Sequence, residues 1–279
     1  MSHLNFFGWL INVLDVQMEE PQMYGWFHLS FFALSIIIGI VLCKAYPKAD
    51  FKTVRRILLI TSLISIVLEA YKQFNYSFSF DGQSVSFDYQ WYAFPFQFCS
   101  TPMFVGLVAT FVKKGKVHNA LCGYLATFSV FAGLCVMLYP PQVFIGTIGI
   151  NIQTMVCHGL MITVGIYLLY TGYVKAEHKT ILGAIPVFAV CVLIAMVMNE
   201  IAKVTGLLER ETFNMFYISP YCEPSLPVYS LVQQHVAYPW CLIIYIAVFS
   251  LAAYIMLLIP ILIKKIATKK AAKLEATVQ

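Results

Sequence analysis

Seven apolar stretches, at roughly 24–43, 56–75, 92–112, 118–138, 147–172, 180–204 and 236–263, divide this 279-residue chain, and each is long enough to cross a bilayer. About 20 apolar residues are needed per crossing. In hydrocarbon a backbone must satisfy its own hydrogen bonds, which only helices and closed barrels do. Runs of this length predict an all-α polytopic membrane protein, a seven-transmembrane-helix bundle over residues 1–263 with a basic tail at 264–279. Composition agrees: 11% of residues are charged, where a soluble domain carries about 25%.

Charge on the connections predicts orientation. Lys44, Lys48, Lys52, Arg55 and Arg56 flank one connection, Lys113, Lys114 and Lys116 the next, then Lys175 and Lys179, and finally Lys264, Lys265, Lys269, Lys270 and Lys273; these are 15 of the 18 Lys and Arg residues. The intervening connections hold Asp15, Glu19, Glu20, Asp81, Asp88, Glu209, Arg210, Glu211 and Glu223. Basic loops stay in the cytoplasm, so the N-terminus is expected outside and the C-terminus inside. The net charge of +5 is then a topology signal and an attraction to anionic headgroups, not a nucleic-acid footprint. The N-terminus has no basic n-region of a cleavable signal, and residues 6–16 read as a short interfacial helix. Multi-pass insertion into a bacterial plasma membrane is the expectation.

Eight cysteines are present, but no C-x-x-C pair is. All except Cys222 fall in or at the ends of apolar runs and read mostly as small core residues. Residues 76–90 alternate aromatic and polar side chains around Asp81-Gly82, which predicts a β-hairpin. Residues 205–238 form the longest connection and carry Pro220, Pro224 and Pro227, so an ordered, irregular lid is expected.

Polar side chains inside hydrocarbon are costly, and each is by default a functional candidate. His158 lies midway along its run. Asn151 and Thr154 precede it at helical spacing and share its face. Ser62, Ser65, Glu69, Lys72 and Gln73 line one face of the second run, where Glu69 and Lys72 form either a structural ion pair or one wall of a polar cavity. Gln97, Cys99 and Ser100 sit between Pro95 and Pro102, which predict a kinked or irregular helix start. Asn199, Glu200 and Lys203 close the sixth run, and His28 lies near the outer end of the first. His3, His118, His178 and His235 fall in tails, loops or interfaces and are expected to be solvated. With the N-terminus outside, the intramembrane candidates all lie in the outer half or near the midplane, so a polar cavity opening outward or into the outer leaflet is expected.

Cys99 and His158 from separate runs would make a nucleophile and its base. The segments around them carry a family resemblance. Pro95-Phe96-Gln97-Phe98-Cys99, His158-Gly159, Asn214-Met215-Phe216-Tyr217, Glu223-Pro224-Ser225-Leu226 and Pro239-Trp240 occur in this order. Together they resemble the YwaF-like family of bacterial integral membrane proteins. That family is distantly similar to a mammalian transmembrane acyltransferase that makes polyunsaturated ether phospholipids with a Cys and a His. The resemblance implies that Cys99 is the family cysteine and His158 its histidine. Relatives often have His where this chain has Gln97.

The preferred reading is an intramembrane lipid acyltransferase or acyl-thioester-forming hydrolase. Its substrates would be an acyl-donor phospholipid and a lysophospholipid, with no cofactor. Gln97 or Asn151 would stabilise the oxyanion and Glu69 would orient His158. An alternative is a transporter or small-ligand receptor using Glu69, Lys72, Glu200 and Lys203. A lesser one is a metal-dependent hydrolase using His28, His158 and Glu69, although no local ligand spacing supports it.

Overall fold

The structure is a computed structural model that describes residues 3–140, 143–223 and 226–278. Pro224 and Ser225 of the fourth resemblance motif lie outside the described residues.

Helix α1 (His3–Leu14) precedes α2 (Trp26–Ala45) and α3 (Phe51–Asn75). A hairpin of β1 (Phe78–Phe80) and β2 (Val85–Phe87) follows, then α4 (Thr101–Phe111), α5 (Lys116–Ala126), α6 (Phe128–Leu138) and α7 (Ile148–Tyr170). Helices α8 (His178–Val204), α9 (Pro227–His235) and α10 (Tyr238–Val278) complete the chain. Among the described residues five segments are long and apolar enough to cross a membrane: α2, the α5–α6 pair, α7, α8 and residues Tyr238–Lys270 of α10. Two of the seven expected spans fall short of that description. Helix α3 has 25 residues, about 37 Å at 1.5 Å per residue, but carries Arg55, Arg56, Glu69 and Lys72. The third run is helical only from Thr101; before it lie a 3-10 turn at Trp91–Ala93 and an irregular stretch. Pro95 and Pro102 withhold the backbone donors that an earlier start would need.

Local chemistry fixes the elements. Asp50 caps α3 by accepting the Thr53 N–H at 2.7 Å. The face of α3 bearing Val54, Ile57, Leu58, Ser62 and Glu69 is buried, while Ile60, Leu63, Ile64 and Val67 are exposed. The fourth apolar run breaks at Thr127 into α5 and α6, and the Thr127 hydroxyl donates to the Gly123 carbonyl at 2.7 Å. Gly165 of α7 fits against this break: a Cβ there would stand 2.7 Å from the Leu125 carbonyl oxygen and 2.1 Å from a Val130 methyl. An aromatic core ties the break to α8, α10 and the 214–217 segment. Phe188 stacks on Phe128 at 4.5 Å and on Tyr245 at 6.1 Å, and touches Phe216 at 6.2 Å.

The expected hairpin forms, with Phe78 opposite Phe87 and Phe80 opposite Val85. The expected N-terminal helix lies on it, Phe7 meeting Phe78 edge-on at 5.3 Å. Two expectations need correcting. The long connection is not wholly irregular, because α9 forms within it. The basic tail is not a separate segment, because α10, 41 residues long, continues through it to Val278.

Candidate active-site cavity

One cavity of about 290 Å³ lies between α3, α7 and the turn leading into α4. Helix α7 runs antiparallel to α3: Gly149 sits against the Tyr71 hydroxyl, and Gln153 reaches Glu69. Lining residues on α3 extend from Leu58 to Lys72 and those on α7 from Ile150 to Val164. Each wall is therefore about 21 Å long at 1.5 Å per residue. The two ends differ in chemistry. Glu69, Lys72, Gln97 and Gln153 line one end, together with Tyr76, Tyr92 and Tyr217. Leu58, Leu125, Met161 and Val164 line the other, with Ser62, Ser65, Cys157 and His158 between them. The void is amphipathic along its length.

Cys99 and His158 both line this cavity. Cys99 is half-buried in the turn just before the α4 N-terminus. His158 is buried, and its Nδ1 lies 2.7 Å from the Thr154 carbonyl oxygen. A carbonyl only accepts, so Nδ1 must carry the proton. That leaves Nε2 as a bare lone pair, and it is buried with no hydrogen-bond partner. Buried polar atoms are normally satisfied, and an unpaired imidazole nitrogen on a cavity wall is a base awaiting a proton donor. No hydrogen bond joins Cys99 to His158. Among the described residues the one thiol–imidazole bond is Cys122 to His118, at 3.4 Å. That pair is sealed in the core, where His118 also meets the Ala109 carbonyl and the Tyr173 hydroxyl. His118 is therefore not solvated as its sequence position suggested.

The structure places the other predicted site residues individually. Glu69 and Lys72 line the cavity as an ion pair at 2.7 Å. Glu69 also accepts from Gln73 at 2.7 Å and from Gln153 at 3.1 Å. It does not orient His158, because Gln153 lies five residues before His158, about 7 Å along α7, and the local Thr154 carbonyl already holds the ring. Gln97 lines the cavity, but its amide is engaged at both ends: it donates to the Asn214 carbonyl at 3.0 Å and accepts from the Phe216 N–H at 2.9 Å.

Four of the predicted residues lie outside the lining. Asn151 brackets the backbone of Ile145, accepting from its N–H at 3.0 Å and donating to its carbonyl at 2.7 Å. Asn199 brackets Met215 in the same way, at 2.8 and 3.1 Å. His28 accepts from the Tyr24 N–H at 3.0 Å and donates to the Met137 carbonyl at 2.8 Å. Glu200 accepts from the Tyr221 hydroxyl at 2.9 Å. Asn151, Asn199 and His28 are engaged by backbone on both their donor and acceptor sides, so Asn151 is no oxyanion donor. The metal reading loses its ligand set as well: His28 is tied to Met137, and no three His, Cys, Asp or Glu side chains converge among the described residues.

Sequence reasoning missed Gln153, Cys157 and Tyr217 at this cavity. The first two carry a legible signal, since Ile150, Gln153, Cys157, Met161 and Val164 recur at three- and four-residue steps along α7. Tyr217 carries none. It reaches the cavity because Phe216 and Tyr217 adopt φ of +58° and +57°, a conformation bulky residues rarely take.

The helices and this end-to-end amphipathic void define a multi-pass membrane protein with a candidate site inside the bundle. A profile of the TMEM164 family matches residues 23–257, and the chain belongs to that family. No curated protein and no solved structure matches it.

Proposed function

We propose that the protein is an intramembrane lipid acyltransferase with Cys99 as nucleophile and His158 as base. The observation that carries this reading is the unpartnered, unprotonated Nε2 of His158 on the wall of the void that Cys99 also lines. The cavity supports it in shape, since an acyl chain would occupy the Leu58 end and an ester would reach the polar end. Nε2 takes the Cys99 proton, directly or across one water. The thiolate adds to the ester carbonyl of a phospholipid; the C–O bond breaks, and the leaving lysophospholipid oxygen takes the proton from His158. The acyl group is then a Cys99 thioester. A second lysophospholipid hydroxyl attacks it, giving its proton to Nε2. The C–S bond breaks and the thiolate is reprotonated by the imidazolium. Water in place of the hydroxyl gives hydrolysis.

The accompanying topology has seven crossings, with α3 and residues 91–111 completing the five apolar segments. The N-terminus is outside, the tail is cytoplasmic, and the membrane is the plasma membrane of a YwaF-like bacterial member.

The test is a reconstituted protein supplied with phospholipid bearing a labelled acyl chain and with lysophospholipid. Labelled product and an acyl mass increment on Cys99 are expected. Cys99→Ala should abolish both, and His158→Gln should slow transfer by about 10²–10⁴-fold. Undiminished transfer by Cys99→Ala ends this mechanism. The Glu69–Lys72 pair on the cavity wall favours a second reading, a ligand-binding receptor or transporter, and tight small-molecule binding with no acyl-enzyme would support it.

A further inference from the structure

Among the described residues Lys72 is the one cation and Glu69 the one carboxylate on the cavity wall. A simple structural pair would leave each dependent on the other, but Glu69 does not depend on Lys72. Its two oxygens also accept from the Gln73 and Gln153 amides. Gln73 is itself fixed, accepting from the Tyr89 hydroxyl at 2.5 Å and donating to the Ala93 carbonyl at 2.8 Å. The carboxylate is thus supported by two positioned amides. The ammonium has three donors, and among the described residues Glu69 is its one ion-pair partner. Lys72 sits one turn from the end of α3, at the cavity end that also holds Gln97, Cys99 and the Tyr76, Tyr92 and Tyr217 rings.

From this geometry we infer that Lys72 is a phosphate subsite: bridging from Glu69, it binds the phosphodiester of a glycerophospholipid and so sets the neighbouring acyl ester beside Cys99. The inference rests on the lipid reading above and adds a selectivity to it. Phosphate-bearing lipids are accepted in preference to neutral glycerides with the same chains. The ammonium neutralises the phosphate, and Glu69 keeps the empty site neutral and holds the lysine in place. Charge-assisted hydrogen bonds are the strong ones, and losing one weakens binding by about 10–100-fold.

Binding, not turnover, is the test, so its result does not depend on whether Cys99 is a nucleophile. Detergent-solubilised full-length protein, wild type and Lys72→Met, is titrated with phosphatidylglycerol, phosphatidylcholine and the matching diacylglycerol, and bound lipid is read by native mass spectrometry. Lys72→Met should bind both phospholipids about 10–100-fold more weakly and diacylglycerol unchanged, and Lys72→Arg should restore phospholipid binding. Inorganic phosphate is added in a separate arm. Displacement of diacylglycerol-insensitive phosphate binding by Lys72→Met, with phospholipid affinity untouched, assigns the site to free phosphate and overturns the headgroup inference. Equal weakening toward all three lipids marks Lys72 as merely structural and also overturns it. Should Lys72→Met not fold, the Glu69→Gln/Lys72→Met pair removes both charges together and carries the same comparison. Acyl transfer that survives Cys99→Ala would sink the nucleophile while leaving this binding result intact.

Discussion

Replacing Gln97 by Ala separates a catalytic carboxamide from one that holds backbone. In the structure Gln97 satisfies the Phe216 N–H and the Asn214 carbonyl. Removing it strands two backbone groups, at about 1–3 kcal/mol each where they stay buried. A relief acts in the opposite direction. Phe216 and Tyr217 have φ of +58° and +57°, and each costs about 1–3 kcal/mol to hold there. The two amounts are comparable, so the segment should relax rather than the bundle come apart. Asn199 still brackets Met215, and the Tyr245 hydroxyl still donates to the Phe216 carbonyl at 3.0 Å. The expected result is a local opening made easier by about 2 kcal/mol, or roughly thirtyfold faster exchange. Hydrogen exchange read by mass spectrometry on a peptide covering residues 210–222 measures it, with global unfolding temperature as the control. Exchange within about twofold of wild type would refute the restraint argument. Gln97→His tests the same idea from the other side. A neutral imidazole offers one donor and one acceptor, as the carboxamide does, so this variant should keep wild-type exchange. A histidine at this position would then be a backbone clamp and need not be a base.

Two further outcomes follow from packing and from charge. Gly165→Ala puts a methyl 2.7 Å from the Leu125 carbonyl oxygen, which cannot rotate away; it should destabilise the protein by at least the ~1–3 kcal/mol of ordinary overpacking, whereas Gly183→Ala, with nothing within 4 Å, should be neutral or slightly stabilising in thermal unfolding, and equal melting of the two would contradict the close approach of α7 to the α5–α6 break. At the hairpin, N–H bonds from Ser84 and then Gln83 hold the Asp81 carboxyl below its ordinary value of 3.8; a folded value lower than the unfolded one means its contribution is complete above that ordinary value and fades as pH falls through the folded value, so amide signals of residues 81–84 should stay protected at pH 5 and lose protection only in more acid solution, and Asp81→Asn should remove that dependence.

The sequence made the apolar helices legible, because a length of twenty apolar residues has few other fates. It did not show where helices break. Residues 92–100 are rich in aromatic side chains and run straight into the apolar helix after them, and Pro95 with Pro102 only hinted that the start would be late. The α5–α6 break at Thr127 had no proline to announce it; Gly165, 38 residues on, gives the break room, and no local pattern could connect them. His118 misled for a related reason. Its neighbours Lys113, Lys114 and Lys116 suggested water, but the ring is buried because Tyr173 and the Ala109 carbonyl fold over it.

The candidate site was legible in part, and its errors have one physical origin. Asn151, Asn199 and Gln97 read as groups free to serve a cavity because a carboxamide in hydrocarbon needs partners, and of the three only Gln97 lines it. All three found backbone instead, each supplying one donor and one acceptor to a non-helical segment. Irregular backbone at membrane depth has no water to satisfy it, so a chain with broken helices must spend carboxamides on its own loops. A lone Asn or Gln in such a chain is therefore weaker evidence for a site than a His or a charged residue. Amides can complete a backbone pair without remainder, whereas an imidazole that donates to a carbonyl always leaves a second nitrogen. In His158 that remainder faces no partner, and in His28 it is filled by the Tyr24 N–H. The same accounting separates His158 from His28 on structural grounds, and it favours His158 as the one with chemistry still to perform.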